Sequence, residues 1–495
     1  QGLAALAPHN RDNPRIVILT PGPLNETYFE HAYLSSYLGY TLVQGDDLTV
    51  RDGKVWLKSL EGLQSVDVIL RRVDDSYCDP LELRSDSRLG IAGLLECVRR
   101  GNVAIANPLG SSVLENSGLL AFLPRLARHF LDLELILPSV ATWWCGQPHE
   151  RDFVLQNIDR LVIKQIYRGK ADHTIFGNSL SQKDQNKLRD KIRAKPHLFV
   201  GQEQISFSTV PALIDGHIEP RYALFRNFTV ASDHDYQAMP GGLTRVARKK
   251  DDFIVSTQAG GFSKDTWILT PEPEKHLSLW SGTGRNQLIE AISEPLPSRV
   301  ADNLFWVGRN LERAETATRL LRCILQTLQE TLEFGDSGDI ACLTVLLRSL
   351  THVTGSYPGF TDCPQQLLNH PQEELLSLAQ DRQRTGSLAM AIQGFSQAAF
   401  SIRDLWSQDT WRSIDTIQRQ WHQNVIDRSI NVEQLQDHLD ELITGIVAFT
   451  GLTTESMTRE TGWLILDSGR RLEKAISLIS LLRATMVPRH DEALL

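Results

Sequence analysis

The sequence is poor in cysteine, with six in 495 residues: Cys78, Cys97, Cys145, Cys323, Cys342 and Cys363. No two of them form a C-x-x-C pair. This argues against a secreted disulfide scaffold and fits a reducing cytoplasm. No apolar run approaches the roughly 20 residues that a membrane-spanning helix needs. No basic segment followed by an apolar one opens the chain, so no leader is read there. Positive charge is not in excess either: 51 Lys and Arg stand against 60 Asp and Glu, a formal net charge of -9. No bulk pull toward nucleic acid or anionic lipid is expected. The phosphate loop G-x-x-x-x-G-K-[ST], the zinc helix H-E-x-x-H and the nucleophile elbow G-x-S-x-G are all missing. The 14 histidines are dispersed without metal-ligand spacing, so no metal ligand is assigned. A lone His such as His31 is more often packed or capping than a ligand.

What is present is ordinary globular composition, 41% hydrophobic and 22% charged, which argues against disorder. The length exceeds one hydrophobic core and suggests two to four domains. The chain begins with Gln1 in what reads as the end of an Ala/Leu helix. The expectation is the C-terminal part of a longer protein.

Breakers divide the chain. Of the 21 prolines 17 precede Arg299, as do 22 of the 33 glycines. The first part therefore reads as mixed α/β and the second as a helix bundle. Ile16 to Leu19 predicts a strand, followed by a Thr20-Pro21-Gly22-Pro23 turn. A helix is predicted over Asn25 to Leu38, burying Tyr28, Ala32 and Tyr37. Short runs recur at Val66 to Leu70 and Val103 to Ala106, a Rossmann-like alternation. Asp52-Gly53 between LTVR and KVWLK predicts a hairpin. From about Leu137 the strands look longer and antiparallel: LVIKQIY, FVGQEQISFS, RYALFRNFTV, FIVSTQ and DTWILT. The expected boundaries are 1–136 Rossmann-like, 137–270 α+β, 271–298 linker with four prolines between Pro271 and Pro297, and 299–495 helical.

The helical part contains an echo. Gly308-Arg309-Asn310-Leu311-Glu312-Arg313-Ala314 resembles Gly469-Arg470-Arg471-Leu472-Glu473-Lys474-Ala475. In frame with the first copy, Leu304, Val307, Leu311, Ala314, Thr318, Leu321 and Leu325 form one stripe. In frame with the second, Ile465, Ser468, Leu472, Ala475, Ile479, Leu482 and Met486 form another. Both stripes are predicted to face a bundle core. Gly308 and Gly469 would permit close helix approach, at a cost of about 1 kcal/mol relative to Ala. Arg309 and Glu312, one turn apart, are expected to pair on the outer side. Pure packing with a solvated charged face outweighs a recognition surface here. Trp306, Trp406, Trp411, Trp421 and Trp463 read as core or interface anchors.

Charges embedded in apolar strands are the candidates for chemistry. Lys164 ends Leu161-Val162-Ile163, and a buried ammonium needs an anion. A phosphate contact is the functional reading; taken alone, a structural ion pair or an exposed strand end reads better. Gln202-Glu203 precedes a second expected strand, Ile205 to Phe207. Glu203 could accept ribose hydroxyls or be an edge charge. Arg226 lies among Leu224, Phe225 and Phe228, costly without a carboxylate or phosphate. Gly241-Gly242 is followed by Arg245, and Gly260-Gly261 by Lys264 and Asp265. Gly pairs let backbone N–H groups approach an anion. One pair is a weak signal; two pairs after three strand-borne charges point moderately to a phosphorylated ligand.

The run PGPLNETYFEHAYLSSYLGYTLVQGDDLTVRDGKVWLK resembles the type-2 circularly permuted ATP-grasp family, as do VDVILRRVDDSYCDPLELR, LPSVATWWCGQP, LVIKQ, VGQEQISFST, MPGGLTRVA and GGFSKDTWIL. PSRVADNLFWVGRNLERAETATRLL and MTRETGWLILDSGRRLEKAISLI resemble the alpha-E domain. The resemblance implies a Rossmann-like pre-ATP-grasp unit, a partial, circularly permuted ATP-grasp α+β fold, and a helical bundle. It implies ATP and Mg²⁺ as cofactors and acyl-phosphate chemistry that joins a carboxylate to an amine on an amino acid or peptide. Lys164, Gln202, Glu203, Gly260, Gly261 and Asp265 would bind nucleotide. Arg226, Arg245 and Lys264 would act on the transferred phosphate. Asn25, Glu26 and His31 would face the acceptor, where a helix N-terminus favours a carboxylate. The resemblance also implies transglutaminase-like or proteasome-like peptidase partners in a bacterial cytoplasm.

Two departures are mild: Gln165 stands where the family has proline, and Asn227-Phe228 follows Arg226. The larger one concerns the metal-binding strand, which in this family precedes the pre-grasp unit. No such segment stands before Gln1, so a grasp incomplete in its metal site is expected. The competing reading is a non-catalytic nucleotide-binding scaffold in a peptide-processing complex.

Overall fold

A computed structural model describes residues 2–11, 13–166, 174–232, 235–250, 255, 260–269, 295–423 and 430–487. Residues 271–294 of the expected linker 271–298 and most of the expected strand FIVSTQ lie outside the described residues. The fold is α/β followed by all-α, and its contacts divide it into two compact units. One comprises residues 1–5 and 107–290, the other 6–106 and 291–495.

A single-turn helix, α1 (Gly2–Ala5), belongs to the first of these. The second unit opens with β1 (Ile16–Leu19), α2 (Tyr28–Leu38) and β2 (Thr41–Val43). A meander of β3 (Leu48–Arg51), β4 (Lys54–Ser59) and β5 (Gly62–Ser65) follows. Then come β6 (Val68–Arg71), α3 (Leu94–Arg99) and β7 (Ala104–Ala106). The order β2-β1-β6-β7 is parallel throughout, as apolar runs separated by crossovers require. Asp52 and Gly53 turn the β3–β4 hairpin with φ of 52° and 70°. Two successive left-handed residues match the twist of the flanking strands.

The helix after β1 starts three residues later than expected. Asn25 Oδ1 accepts from the Thr27 amide at 2.9 Å, a side-chain turn that competes with helix. Tyr28 and Ala32 are buried as expected, but Tyr37 is exposed. It belongs to an outward row with Phe29 and Tyr33, spaced one turn apart.

In the other unit, α4 (Leu123–Leu131) precedes β8 (Thr142–Trp144), α5 (Pro148–Gln156), β9 (Leu161–Gln165), β10 (Ile175–Phe176), α6 (Gln182–Ala194) and β11 (Phe199–Glu203). The antiparallel order is β10-β9-β11-β8. One face of this sheet is packed: Leu161, Ile163 and Phe199 meet Val154 of α5 and Leu188 and Ile192 of α6. Ile205 to Phe207 is not a strand. The sheet ends at Glu203 because the pairing partners, Leu161 and Thr142, are the first residues of β9 and β8. The strands β12 (Thr209–Ile214), β13 (His217–Arg226), β14 (Thr229–Ser232), β15 (Asp235–Ala238), β16 (Gly242–Val246) and β17 (Phe262–Thr266) complete the unit. Of DTWILT only Asp265 and Thr266 are in β17; Trp267 to Leu269 are exposed beyond it.

The helical part holds α7 (Ser298–Phe334), α8 (Ser337–Thr354), α9 (Gln365–Asn369), α10 (Gln372–Gln380), α11 (Leu388–Phe400), α12 (Gln408–Trp421), α13 (Val432–Ser456) and α14 (Thr461–Met486). Among the described residues no helix is long and apolar enough to cross a membrane. The two copies of the repeat meet where α7 and α14 cross. A Cβ on Gly308 would stand 2.2 Å from the Leu466 carbonyl oxygen, and one on Gly469 would stand 2.4 Å from that of Phe305. Each glycine thus receives the backbone one turn before the other, a local two-fold relation. The charges of the motif are exchanged across this contact rather than paired on an outer side. Arg309 and Arg313 reach Glu473 at 2.6 and 2.8 Å, while Arg470 and Lys474 flank Glu312 at 3.5 and 3.9 Å. Glu312 is buried, which pushes its carboxyl pKa upward, and neighbouring Glu315 adds to the rise. Trp406 and Trp421 are core residues; Trp306 lies under Arg309 and Arg313.

Parallel sheet and helical bundle are joined within their unit. Tyr28 Oη donates to the Ser401 carbonyl at 2.9 Å and its ring meets Phe400 at 5.6 Å. Arg299 Nε donates to both Asp47 oxygens at 2.8 and 3.0 Å. The Arg403 guanidinium lies between the rings of Phe29, at 4.7 Å, and Trp411, at 3.8 Å.

Gly308→Ala and Gly469→Ala should each cost 1–3 kcal/mol or more, since backbone fills the space that a methyl would need (about the range for overpacking). Gly451 in α13 has no atom within 4 Å of its Cβ position. Gly451→Ala should instead be neutral or stabilise by up to ~1 kcal/mol. Chemical denaturation of the three variants checks the contrast.

Candidate functional site

In a parallel sheet, ligands sit beyond the strand C-termini where the strand order reverses. Here that position lies between β1 and β6. The loop after β1 supplies Asn25 and Glu26; the end of β6 supplies Arg71 and Arg72. Arg71 is committed to Asp75 at 2.5 Å, whereas Arg72 is exposed. His31 does not reach the surface. It is 2% exposed, with Nδ1 2.9 Å from Thr20 Oγ1 and Nε2 3.1 Å from Thr27 Oγ1. The proton positions follow from the network. Asn25 Oδ1 can only accept, so the Thr27 hydroxyl donates to it at 2.6 Å. Thr27 Oγ1 must then accept from His31 Nε2–H. His31 Nδ1 is left to accept from the Thr20 hydroxyl, which itself accepts from the Gly22 amide at 3.2 Å. The neutral imidazole therefore holds the Thr20–Thr27 loop from both sides. Burial, with Arg72 nearby, pushes its pKa down to about 4. His31 acts on the crevice by fixing Asn25 through Thr27. Thr20 and Thr27 carry this role; the T-P-G-P turn directly behind a strand was a signal for Thr20 alone.

In the other unit, strand register sorts the expected residues by face. Lys164 stands opposite Val200, and Val200 opposite Trp144. Gln202 is on the same face and donates to Thr142 Oγ1 at 3.1 Å. This is the face away from α5 and α6. Glu203 stands opposite Leu161, on the helix-covered side, and is exposed at the strand end. Beside Trp144 lies a cavity of about 200 Å³, walled by Val113, Leu119, Phe122, Trp144 and Ile166 with Asn116 at its edge. Phe122 meets the Trp144 ring edge-on at 6.0 Å, and Trp144 Nε1 is anchored on the His197 carbonyl at 3.0 Å. A Cβ on Gly146 would fall 2.3 Å from the indole, so glycine there makes room for the ring. The cavity suits one planar heteroaromatic ring system better than a larger ligand. Its walls come from positions that sequence reading did not single out, since Phe122 and Val113 meet Trp144 only in the fold.

The strands β12-β13-β16-β17 form an antiparallel sheet. In one row Arg226, Leu243 and Asp265 are cross-strand neighbours; in the next but one, Leu224, Arg245 and Ser263 are. Arg226, Arg245 and Asp265 thus share a face. Arg245 Nε is buried and takes no hydrogen bond among the described residues. Lys264 is on the opposite face, with its ammonium donating to the Pro211 carbonyl. The sheet curls to bring β17 to β12, and Lys264 closes that curl instead of joining the two arginines. Gly260 takes φ of 80° just before β17, a turn that leaves Gly261 leading into the strand.

These residues fit a nucleotide in part. The Lys164–Gln202 face and the aromatic cavity could hold a base and a phosphate, and the unsatisfied Arg245 Nε could receive an anionic oxygen. They do not assemble a Mg²⁺ site: among the described residues no group of three or more His, Cys, Asp or Glu could hold a metal.

The His31 network has a pH signature. Between pH 4 and 6.5 the unfolded chain binds a proton that folded His31 refuses. Its contribution is complete above pH 6.5 and is lost as pH falls toward 4, on the order of 2–3 kcal/mol. Asp404 acts in the opposite sense. Although the residue reaches solvent in part, its carboxyl is enclosed, and desolvation pushes it up to about 6. The measurement is therefore the difference in unfolding free energy between wild type and His31→Gln. That difference should grow from pH 4.5 to 7 in favour of wild type.

Comparison with known proteins agrees with this architecture. The family model for circularly permuted ATP-grasp type 2 matches residues 1–247. That for Alpha-E, described as a predicted alpha-helical domain with a conserved ER motif, matches 296–494. An uncharacterized protein of Mycobacterium tuberculosis is 36% identical over 504 residues, covering 98% of this chain and 56% of its own. Uncharacterized proteins of Mycobacterium leprae and Synechocystis are 39% and 38% identical, covering 59% and 54% of this chain and 52% and 56% of theirs. The chain thus spans about half the length of the curated relatives it matches. The two matches, one over the sheet-bearing part and one over the bundle, make the chain a member of the circularly permuted ATP-grasp type 2 family fused to an Alpha-E domain.

Proposed function

We propose that this protein binds ATP on the face of the β8–β9–β11 sheet away from α5 and α6 and acts as a carboxylate–amine ligase toward an amino acid or peptide. The observation that carries the reading is the shared face of Lys164 and Gln202 beside the Trp144 cavity. The cavity would take the base, Lys164 a phosphate, and Arg226 with Arg245 the charge that develops on the transferred phosphoryl group. Lys264, bound to a backbone carbonyl on the other face, would shape this surface from behind. Glu203, at the strand end, would meet the ribose edge.

ATP supplies the leaving group. A substrate carboxylate oxygen bonds to the γ-phosphorus as ADP departs. An amine then bonds to the acyl carbon, phosphate leaves, and the amine loses a proton. The acceptor would lie at the crevice of Asn25, Glu26 and Arg72, in a loop that His31 holds still. Arg72 would attract the carboxylate of an amino acid or a peptide C-terminus.

Mg²⁺-ATP should raise the melting temperature of the whole chain, by linkage worth about 2.7 kcal/mol at a hundredfold excess over Kd. Lys164→Ala should weaken binding at least tenfold, and Lys195→Ala, an exposed lysine away from this face, should not. An equal ATP shift in Lys164→Ala and wild type would overturn the site. ATP binding without phosphate release across a screen of amino acids and peptides would favour the scaffold reading over the ligase.

A further inference from the structure

The repeat places the same apolar stripe on two helices, and the fold covers only one. In α7, Leu304, Val307, Leu311, Ala314, Leu321 and Leu325 are buried. The stripe in the same frame of α14 was expected in the core; Ile465 packs against it, but from Leu472 onward the stripe is exposed. Leu472 is 46% exposed, Ile479 57%, Leu482 47% and Met486 74%, with Ile476 beside them at 43%. The helix turns Leu466, Gly469, Glu473 and Ser477 inward instead. The reason lies in the crossing: Gly469 must face α7, and that rotates the in-frame stripe outward. The face continues for about 20 Å of helix at 1.5 Å per residue. Arg483, in the last turn, is the one charge set among these side chains.

We propose that this face is an interface between two copies of this chain, with two α14 helices packing antiparallel about a two-fold axis near Ile479. Its extent supports a second copy. Five large apolar side chains, each about half exposed, amount to roughly 500 Å² per copy, in the upper part of the range for a monomer's largest patch. Doubled across a two-fold, roughly 1,000 Å² is the size that an interface of biological weight should reach. Its pattern supports the same partner. A two-fold contact needs a patch that matches its own reverse. Ile479 lies midway between Leu472 and Met486 and between Ile476 and Leu482. Ile479 meets its own copy at the axis, and apolar side chains meet apolar side chains along the flanks. An interface of this kind buries what α11 and α13 bury for α7.

Sedimentation equilibrium and light scattering on the full chain test the proposal. Wild type should run at twice the mass of one chain at concentrations up to about 100 µM, where a protomer equilibrium is set by mass action. The double variant Leu472→Glu/Ile479→Glu places charges at one end and at the centre of the contact and should run at the mass of one chain with unchanged helical circular dichroism. Should that variant misfold, the single change Ile479→Lys gives the same reading. A wild type at single-chain mass over the whole range overturns the proposal, as does a folded variant that stays dimeric.

Discussion

The helical part depends on one contact, the crossing of α7 and α14. Two glycines admit a carbonyl each, and no side chain could stand in their place. That closeness brings two glutamates into the interior, where a carboxylate is tolerated only with cations at hand. The cations come from the opposite helix in both cases, so the motif is satisfied only as a pair. A Glu-Arg motif on one helix would be a solvated pair of little worth. Doubled and crossed, it fixes both the rotation and the register of the longest helices.

That fixed frame extends to the first hundred residues. Arg299, one residue into α7, holds Asp47, and Ser401 receives Tyr28. Tyr28 opens α2, the helix whose preceding loop borders the sheet crevice. The bundle therefore sets the orientation of the elements that line the crevice between β1 and β6, while the strands β8 to β17 belong to a separate compact unit.

Much of this was legible in the residues. Strand and helix alternation, the Asp52-Gly53 hairpin and the close-approach role of Gly308 and Gly469 follow from local rules that the fold obeys. The lone His31 was also rightly suspected of packing. What sequence reading blurred was direction. Lys264 and Asp265, or Gln202 and Glu203, were grouped as neighbours, yet adjacent strand residues face opposite sides. The repeat misled in a similar way. Similar sequence in α7 and α14 carries over the crossing but not the surroundings, because α7 has helices on both sides and α14 lies at the edge. The Trp144 cavity was illegible because its walls meet only through tertiary packing.

The sheet of residues 6–106 and the bundle after residue 295 form one unit although the other unit's sequence runs between them. Tyr28 and Ser401, joined by a hydrogen bond, are 373 residues apart. On a ribosome adding about 5–20 residues per second, that separation is roughly 20–75 s of synthesis. Throughout that interval the aromatic flank of the nascent sheet waits without its partner. Docking must wait until Ser401 and the helices around it have been made, so the sheet has to hold its own shape before the bundle can lean on it.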